Sequence, residues 1–354
     1  MKRVLQLIPY DAIGGVEVAA KSIYAGDHNR ADGDLRFERQ YLVNRKGSAC
    51  GPADYHGPYR SLYDPRPYLH AFFRLYRKPP DLLVASLWRS ALVLIVLKMA
   101  RPKQKAILFL HLAHDVHWFD RIANRIAMRL ADGIWADSAA TMDQRISPNL
   151  RHKGRVISFL LERHSLPKVS DPTPEFIFWG RLSPQKGLER ALKIFSKIVR
   201  HVPEADFKII GPDGGSENDL KALVEQLGIS ENITFIGARS RADIRTMASQ
   251  ASFYLQTSVD EGMALSVVEA MQSGLVPIVT SVGELARYCT DGKNAILVQE
   301  DNAAVDAVMA LLADPDRYKR MSFAAAEYWQ AKPLYRDDFL AAAAELIKGK
   351  ANNV

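Results

Sequence analysis

Only two cysteines, Cys50 and Cys289, occur in 354 residues, and they stand in different halves of the chain. That scarcity excludes a disulfide framework, fits a reducing cytoplasm, and makes both thiols structural. Long apolar runs are missing too: the longest, residues 91–97, falls far below the roughly 18 residues that a membrane-crossing helix needs. Met1-Lys2-Arg3 before VLQLI imitates a secretory start, but Asp11 and Gly14-Gly15 end the run before a signal core of ~7 to 15 residues can form, so export is not expected. Neither a solenoid repeat nor a low-complexity tract is present, which sets aside repeat arrays and disordered scaffolds.

What is there suits a globular protein. With 48% apolar and 25% charged residues, a chain of this length buries two cores of ordinary size. Its charge is unevenly placed: residues 1–168 hold 27 Lys and Arg against 15 Asp and Glu, whereas the remainder holds 20 against 25. A basic first half calls for an anionic partner such as a membrane surface, an acidic saccharide or a nucleic acid. No nucleic-acid motif accompanies it, so nucleic acid is not expected. Arg74, Arg77 and Lys78 interleave with Tyr68, Phe72, Phe73 and Tyr76, and Lys98, Arg101, Lys103 and Lys105 follow. Two readings stay open for this stretch. It is either an aromatic and cationic surface on the inner leaflet, each basic group adding ~1 kcal/mol near anionic lipid, or a solvated helix face with buried aromatics.

Short β-rich runs at residues 4–8, 82–87, 106–110, 134–137 and 156–160, then at 176–179, 207–210, 233–236, 253–255, 276–279 and 295–298, alternate with helical patterns. The alternation predicts an α/β chain with two Rossmann-like domains. Residues 166–174, LPKVSDPTP, carry three prolines without helical period and read as the linker, with the cleft beside it. The expected boundaries are therefore 1–167 and 168–334, followed by an amphipathic segment over 335–348.

The most informative stretch is residues 258–280, SVDEGMALSVVEAMQSGLVPIVT, with Glu261 before an apolar helical run and Glu269 inside it. A loop ending at a helix start offers free N–H groups and a positive dipole end to a diphosphate, while carboxylates beside it hold sugar hydroxyls. Both glutamates are otherwise ordinary helix-start acids. Glu269, flanked by Val267, Val268, Ala270 and Met271, reads as a buried carboxylate needing a partner, strained or hydrated in the apo protein. Arg181 and Lys186 come just past the run 176–179, within reach of a crevice at its carboxyl end, and a guanidinium fork with a mobile ammonium suits a leaving diphosphate. An exposed lysine at a helix start opposes the helix dipole, which points to a bound anion. Gly14-Gly15 sits where the first strand turns into the first helix, either letting backbone N–H groups approach a ligand or forming a tight turn alone.

In chain order, Gly14-Gly15-Val16-Glu17, FIFWGRLSPQKG at 176–187 and EGMALSVVEAMQSGLVPIV at 261–279 resemble three segments of a known family. These are the N-terminal glycine loop, the strand-G-R-L-x-x-x-K-G segment and the E-x7-E signature of retaining GT-B glycosyltransferases, glycosyltransferase family 4 (glycosyl transferases group 1). The resemblance is strong over 174–312 and weak over 18–104, where acceptor binding would be encoded. It implies two Rossmann-like domains facing a central cleft, with the last helix crossing back so that 335–354 joins the first domain. It also implies that Arg181 and Lys186 neutralise the donor diphosphate, that Glu261 lies beside the transferred sugar, and that Glu269 accepts hydrogen bonds from the ribose. Gly14, Gly15, Gly262, Met263, Ala264 and Leu265 complete the donor contacts. Met263-Ala264 departs from the family's Phe-Gly and alters how that loop approaches the donor sugar. His111, after AILFL, resembles the family's strand-end histidine, which contacts the reacting sugar and its developing oxocarbenium charge; a structural histidine is the other reading.

His114 and His117 with Asp115 and Asp120 invite a metal, but they straddle a strand end and the family generally needs none, so neither metal nor cofactor is expected. Asp32-Gly33-Asp34 and Asp314-Pro315-Asp316 resemble the metal motif of the other main glycosyltransferase fold; the first sits in a polar turn and the second opens a C-terminal helix. The function implied is a retaining, metal-independent hexosyltransferase, using a UDP- or GDP-linked sugar and a glycan or lipid-linked saccharide acceptor in bacterial surface polysaccharide or lipopolysaccharide assembly. Such an enzyme is cytoplasmic or peripheral at the inner membrane face. The alternatives are a nucleotide-sugar epimerase of the same architecture and a non-catalytic anion- or membrane-binding scaffold.

Overall fold

The computed structural model describes residues 1–11, 15–23, 35–44, 54–111 and 117–349. The expectations for Gly14, Asp32-Gly33-Asp34, Cys50, His114 and Asp115 lie outside the described residues. The chain divides into two compact units, Met1–Leu161 with Pro333–Val354, and Glu162–Lys332.

In the first unit, β1 (Lys2–Tyr10), β2 (Leu35–Val43), β3 (Asp54–His56), β4 (Leu82–Ser86), β5 (Ala106–Leu110), β6 (Gly133–Ala136) and β7 (Gly154–Val156) form one sheet in the order β3-β2-β1-β4-β5-β6-β7. All neighbours pair parallel. Strands β4 and β5 are buried along their whole length, as strands covered on both faces must be. The strand order reverses between β1 and β4, and ligands of open α/β sheets bind at the carboxyl ends of such a pair.

Two strands of this sheet lie outside the expected runs. β2 reads LRFERQYLV, whose charges hide its strand character, yet Glu38, Arg39 and Gln40 find partners distant in sequence. Arg3 Nε donates to Glu38 Oε2 at 3.0 Å, and buried Arg39 pairs with Asp54 of β3 while donating to the Ala20 carbonyl at 3.0 Å. The run expected at 156–160 is displaced: β7 ends at Val156, and Leu160 forms an isolated bridge with Leu334. The final helix, Tyr335–Lys348, packs on this unit through Tyr335 and Phe339, both fully buried. The Phe339 ring meets Trp135 edge-on at 5.0 Å and Phe37 at 5.4 Å, and Arg155 pairs with Asp338 and Glu345.

In the second unit, β8 (Glu175–Trp179), β9 (Asp206–Ile210), β10 (Ile233–Gly237), β11 (Phe253–Gln256), β12 (Val276–Val279) and β13 (Ile296–Leu297) form a parallel sheet in the order β10-β9-β8-β11-β12-β13. Its order reverses between β8 and β11. The helix after β8, Leu188–His201, buries Leu188, Ala191, Leu192, Phe195 and Ile198 on one face, with Glu189 in its first turn and Arg200 and His201 in its last. Residues 166–174 run along this unit: Thr173 N donates to Ser252 Oγ at 2.8 Å, and Gly274 closes against Pro167. The chain accordingly passes from one unit to the other at Leu161/Glu162 and Lys332/Pro333. Asp314 caps the helix Pro315–Glu327 by accepting from Arg317 N at 2.9 Å, a structural use of that acid.

Candidate active site

The segments after β8 and β11 lie at the strand-order reversal of the second unit, and they carry Arg181, Lys186 and Glu261. They are stitched together. Gly187 has φ 63°, and a Cβ there would stand 1.9 Å from the Thr257 carbonyl oxygen, so only glycine permits the contact. Thr257 Oγ1 donates to the Gly187 carbonyl at 2.6 Å, Val259 N to the Gln185 carbonyl at 2.9 Å, and Gln185 Nε2 to the Asp260 carbonyl at 2.9 Å.

On this frame Lys186 Nζ donates to Glu261 Oε1 at 2.6 Å. The same oxygen accepts from Ser258 Oγ at 2.8 Å and Gln256 Nε2 at 2.9 Å. Gln256 is oriented in turn by the Tyr254 hydroxyl, which donates to its Oε1 at 2.7 Å, and by Ser266 Oγ at 3.2 Å. Burial holds the Tyr254 hydroxyl well above its ordinary pKa, so it remains a neutral donor. Lys186 is not the exposed cation expected from the sequence: its side chain is 17% exposed and that of Glu261 only 6%.

Arg181 differs. The residue is exposed, and among the described residues no carboxylate pairs with its guanidinium. Its methylenes pack over Gly214, where a Cβ would come within 2.6 Å of Cγ.

The loop Glu261-Gly262-Met263-Ala264 is seated on a second loop. Gly283 has φ 53°, and a Cβ there would lie 1.7 Å from the Glu261 carbonyl oxygen. Glu284 N donates to the Gly262 carbonyl at 3.2 Å, and the Tyr288 hydroxyl to the Met263 carbonyl at 2.9 Å. Ala264 adopts φ 52°, a left-handed conformation unusual for a non-glycine residue, and precedes the helix Leu265–Gln272 with no side-chain cap. The first N–H groups of that helix, with its positive dipole end, are thereby offered to an anion.

Glu269 departs from expectation. Its side chain is 32% exposed and already partnered, accepting from Trp179 Nε1 at 3.1 Å and pairing with Arg241 at 3.2 Å. Desolvation raises its pKa, and Arg241 opposes the rise.

His111 follows β5 in the first unit, packed against Phe109 at 4.1 Å between ring centroids. Burial pushes its pKa down to about 3, so the ring is neutral at pH 7. Neither ring nitrogen has a hydrogen-bond partner among the described residues, and Asp137 Oδ2 stands 3.9 Å from Nδ1. Gly15 opens the helix Gly15–Ser22. His117 caps the helix Trp118–Leu130, accepting from Asp120 N at 3.1 Å, and Asp120 faces Asn124 and Arg145. Among the described residues no group of His, Cys, Asp and Glu is placed to hold a metal ion, and no helix is long and apolar enough to cross a membrane. Buried Cys289 has a thiol pushed up to about 12.

The cationic and aromatic stretch is partly buried and partly exposed. Lys98 is buried against Asp132 and two carbonyls, and Lys105 caps the last helix by donating to the Leu346 carbonyl at 2.8 Å. Phe73, Tyr76, Arg77, Lys78 and Lys103 are exposed.

Sequence reasoning missed Gln256, Ser258, Arg241, Gly283 and Tyr288. The only signal for the first was a polar residue closing an apolar strand; Ser258 lies three residues from Glu261 without a pattern to mark it, and Arg241, Gly283 and Tyr288 act through contacts distant in sequence.

The family described as Glycosyl transferases group 1 matches residues 163–328. A GDP-mannose:cellobiosyl-diphosphopolyprenol alpha-mannosyltransferase of Xanthomonas oryzae pv. oryzae is 26% identical over 159 residues, 44% of this chain and 42% of that protein. A trehalose synthase of Pyrococcus horikoshii is 27% identical over 281 residues, 76% of this chain and 64% of that protein. The chain thus spans about half the length of the curated relatives it matches. Among solved structures, HepE of Anabaena in complex with UDP aligns with a TM-score of 0.76 at 18% identity, covering 98% of this chain and 100% of that one. The lipopolysaccharide outer core galactosyltransferase WaaB, in apo form, aligns at 0.71 and 17%, with 98% and 100% covered. The chain takes the GT-B fold of these structures, and its residues 163–328 match the glycosyl transferases group 1.

Proposed function

We propose that this chain is a retaining glycosyltransferase that moves a hexosyl group from a UDP- or GDP-linked sugar to a glycan or lipid-linked saccharide acceptor. One observation carries the reading. At the β8/β11 reversal, Lys186, Glu261 and the uncapped start of the helix Leu265–Gln272 converge, with the guanidinium of Arg181, which pairs with no carboxylate among the described residues, on the segment after β8. Cations and free N–H groups suit a diphosphate, and carboxylates suit a polyol.

On donor binding, Lys186 exchanges Glu261 for a phosphate oxygen, which frees Glu261 to accept from a hydroxyl of the transferred sugar. Glu269 accepts from the ribose, and Gly15 with the backbone from Gly262 to Leu265 approaches the donor. As the bond from the anomeric carbon to the phosphate oxygen breaks, its electron pair stays on that oxygen, and Arg181 and Lys186 offset the growing charge. The acceptor hydroxyl attacks the same face and gives its proton to the departing oxygen, leaving glycosylated acceptor and nucleoside diphosphate without a protein base. Neutral His111 contacts the sugar as positive charge develops. No step calls for a metal.

The names of the Xanthomonas relative and of WaaB support a place in bacterial surface polysaccharide or lipopolysaccharide assembly, at the cytoplasmic face of a membrane that the basic first unit approaches. Incubation with UDP- and GDP-sugars and a saccharide acceptor, followed by NMR of the product, tests the reaction: a product of inverted anomeric configuration refutes retention. An altered sugar formed without acceptor marks an epimerase instead. Near-normal transfer by the variant carrying Arg181→Ala and Lys186→Ala removes those two residues from the mechanism.

A further inference from the structure

The first unit holds a cavity of about 870 Å³, in the ~300–1,000 Å³ range of small-ligand sites, that the proposed chemistry does not use. Leu69 and Phe72 of the helix Arg66–Arg77 line one side, Leu92 and Val96 of the helix Leu87–Ala100 another, and Phe119 a third. Leu69, Leu92, Val96 and Phe119 are 37–56% exposed, so the apolar surface is open rather than sealed into the core.

The lining has a polar end. Arg89, Leu92 and Val96 fall at i, i+3 and i+7 on the helix that follows β4, so the arginine heads a continuous apolar stripe. Its guanidinium carbon sits 4.7 Å from the Trp88 ring centroid and 5.5 Å from that of Tyr63, flanked by rings rather than by a counterion. The acid in the lining, Asp64, is already paired with Arg66 at 2.6 Å, and among the described residues no carboxylate pairs with Arg89. This end of the groove thus carries a surplus positive charge, next to the β1/β4 reversal where ligands of such sheets bind.

We propose that this groove binds the hydrocarbon chain of a single anionic amphiphile, with its phosphate on Arg89 and its chain along Leu92 and Val96. The fit is one of charge and length together: a guanidinium fork matches a phosphate, and the stripe beyond it offers an alkyl or isoprenyl chain apolar partners in place of water. Applied to the transfer reaction, the site makes the acceptor a saccharide carried on a lipid phosphate or diphosphate, its sugar hydroxyl the nucleophile. That extension rests on the proposed function, whereas the binding itself does not.

Calorimetric titration of the full chain with farnesyl phosphate below its micelle concentration tests the site. Saturable binding at one lipid per chain is expected, weakened about tenfold by Arg89→Ala and by replacing the lipid with farnesol. Binding should be lost in Leu92→Asp with Val96→Asp, whose exposed positions leave the urea-unfolding curve unchanged. Absence of binding overturns the proposal, as does equal binding by that double variant. Adsorption to phosphatidylglycerol vesicles without binding of the monomeric lipid overturns it in favour of a membrane face, and self-association abolished by the same substitutions overturns it in favour of a second copy. Nucleotide-sugar binding is measured in parallel, so loss of lipid binding with donor binding intact refutes the groove alone, and the reverse refutes the transferase reading alone.

Discussion

Lys186 Nζ donates to Glu261 Oε1 across 2.6 Å, joining two loops that lie 75 residues apart in the chain. The carboxylate is buried and its remaining donors, Gln256 and Ser258, are neutral. Lys186→Ala therefore strands a negative charge and should lower stability by up to about 3 kcal/mol, read from the urea midpoint. Adding Glu261→Gln should restore part of that loss. A double variant no more stable than Lys186→Ala alone would mean that the lysine does not balance this charge.

His111 gives a pH signature. Its imidazole titrates at about 3 in the folded chain against 6.5 ordinarily, so between these values the unfolded chain binds the proton and the folded chain does not. The stability that His111 contributes is complete above about pH 6.5 and is lost as pH falls toward 3. The gap in unfolding free energy between wild type and His111→Gln should shift steadily against wild type on acidification from about pH 7 to 4. A gap independent of pH contradicts the buried, neutral ring.

Glu269 has the opposite sign. Its raised pKa means that the folded chain holds the proton more tightly, so stability from this group is full below the ordinary value of 4.5 and is lost as pH rises through the folded one. Glu269→Gln should be at least as stable as wild type at pH 7, yet bind UDP or GDP about tenfold more weakly. Unchanged nucleotide affinity would remove Glu269 from the ribose site.

Ala264 sits at φ 52° where glycine pays no steric cost. Ala264→Gly relieves ~1–2 kcal/mol of backbone strain and forfeits ~0.8 kcal/mol of methyl burial, so the midpoint should hold or rise slightly. Ala264→Val should lower it, because a branched Cβ is poorly tolerated there. If valine proves as stable as alanine, the left-handed turn is not fixed.

Phe339 is fully buried against Trp135 and Phe37. Phe339→Ala should cost ~3–5 kcal/mol and expose the first unit to limited proteolysis, leaving the second unit protected. A shift under about 1 kcal/mol would mean that the last helix adds little to that core.

Most of the architecture was legible because parallel strands buried on both faces announce themselves as short apolar runs, as β4, β5 and β11 do. β2 was not, since Arg36, Glu38, Arg39 and Gln40 interrupt its pattern, and the partners of Glu38, Arg39 and Gln40 include Arg3, Asp54 and Arg74, distant in sequence. Within the candidate site, the positions of Arg181, Lys186 and Glu261 follow from local order: each lies just past a strand end. That Lys186 and Glu261 would neutralise each other depends on β8 and β11 being neighbours, which no local pattern encodes. Arg241 comes to Glu269 from a separate helix, and Gly283 matters only because the Glu261 carbonyl presses on it.

The bridge between Leu160 and Leu334, with Tyr335 N donating to the Leu160 carbonyl at 2.7 Å, brings together the departure and return of the main chain in the first unit. Residues 162–332 are therefore a cassette with adjoining ends. A short splice across those ends should leave the first sheet and its closing helix intact, and the excised piece carries Arg181, Lys186, Glu261 and Glu269 as a set. The fold thus joins this piece to its scaffold at one place, open to exchange by recombination without redrawing the sheet that receives it.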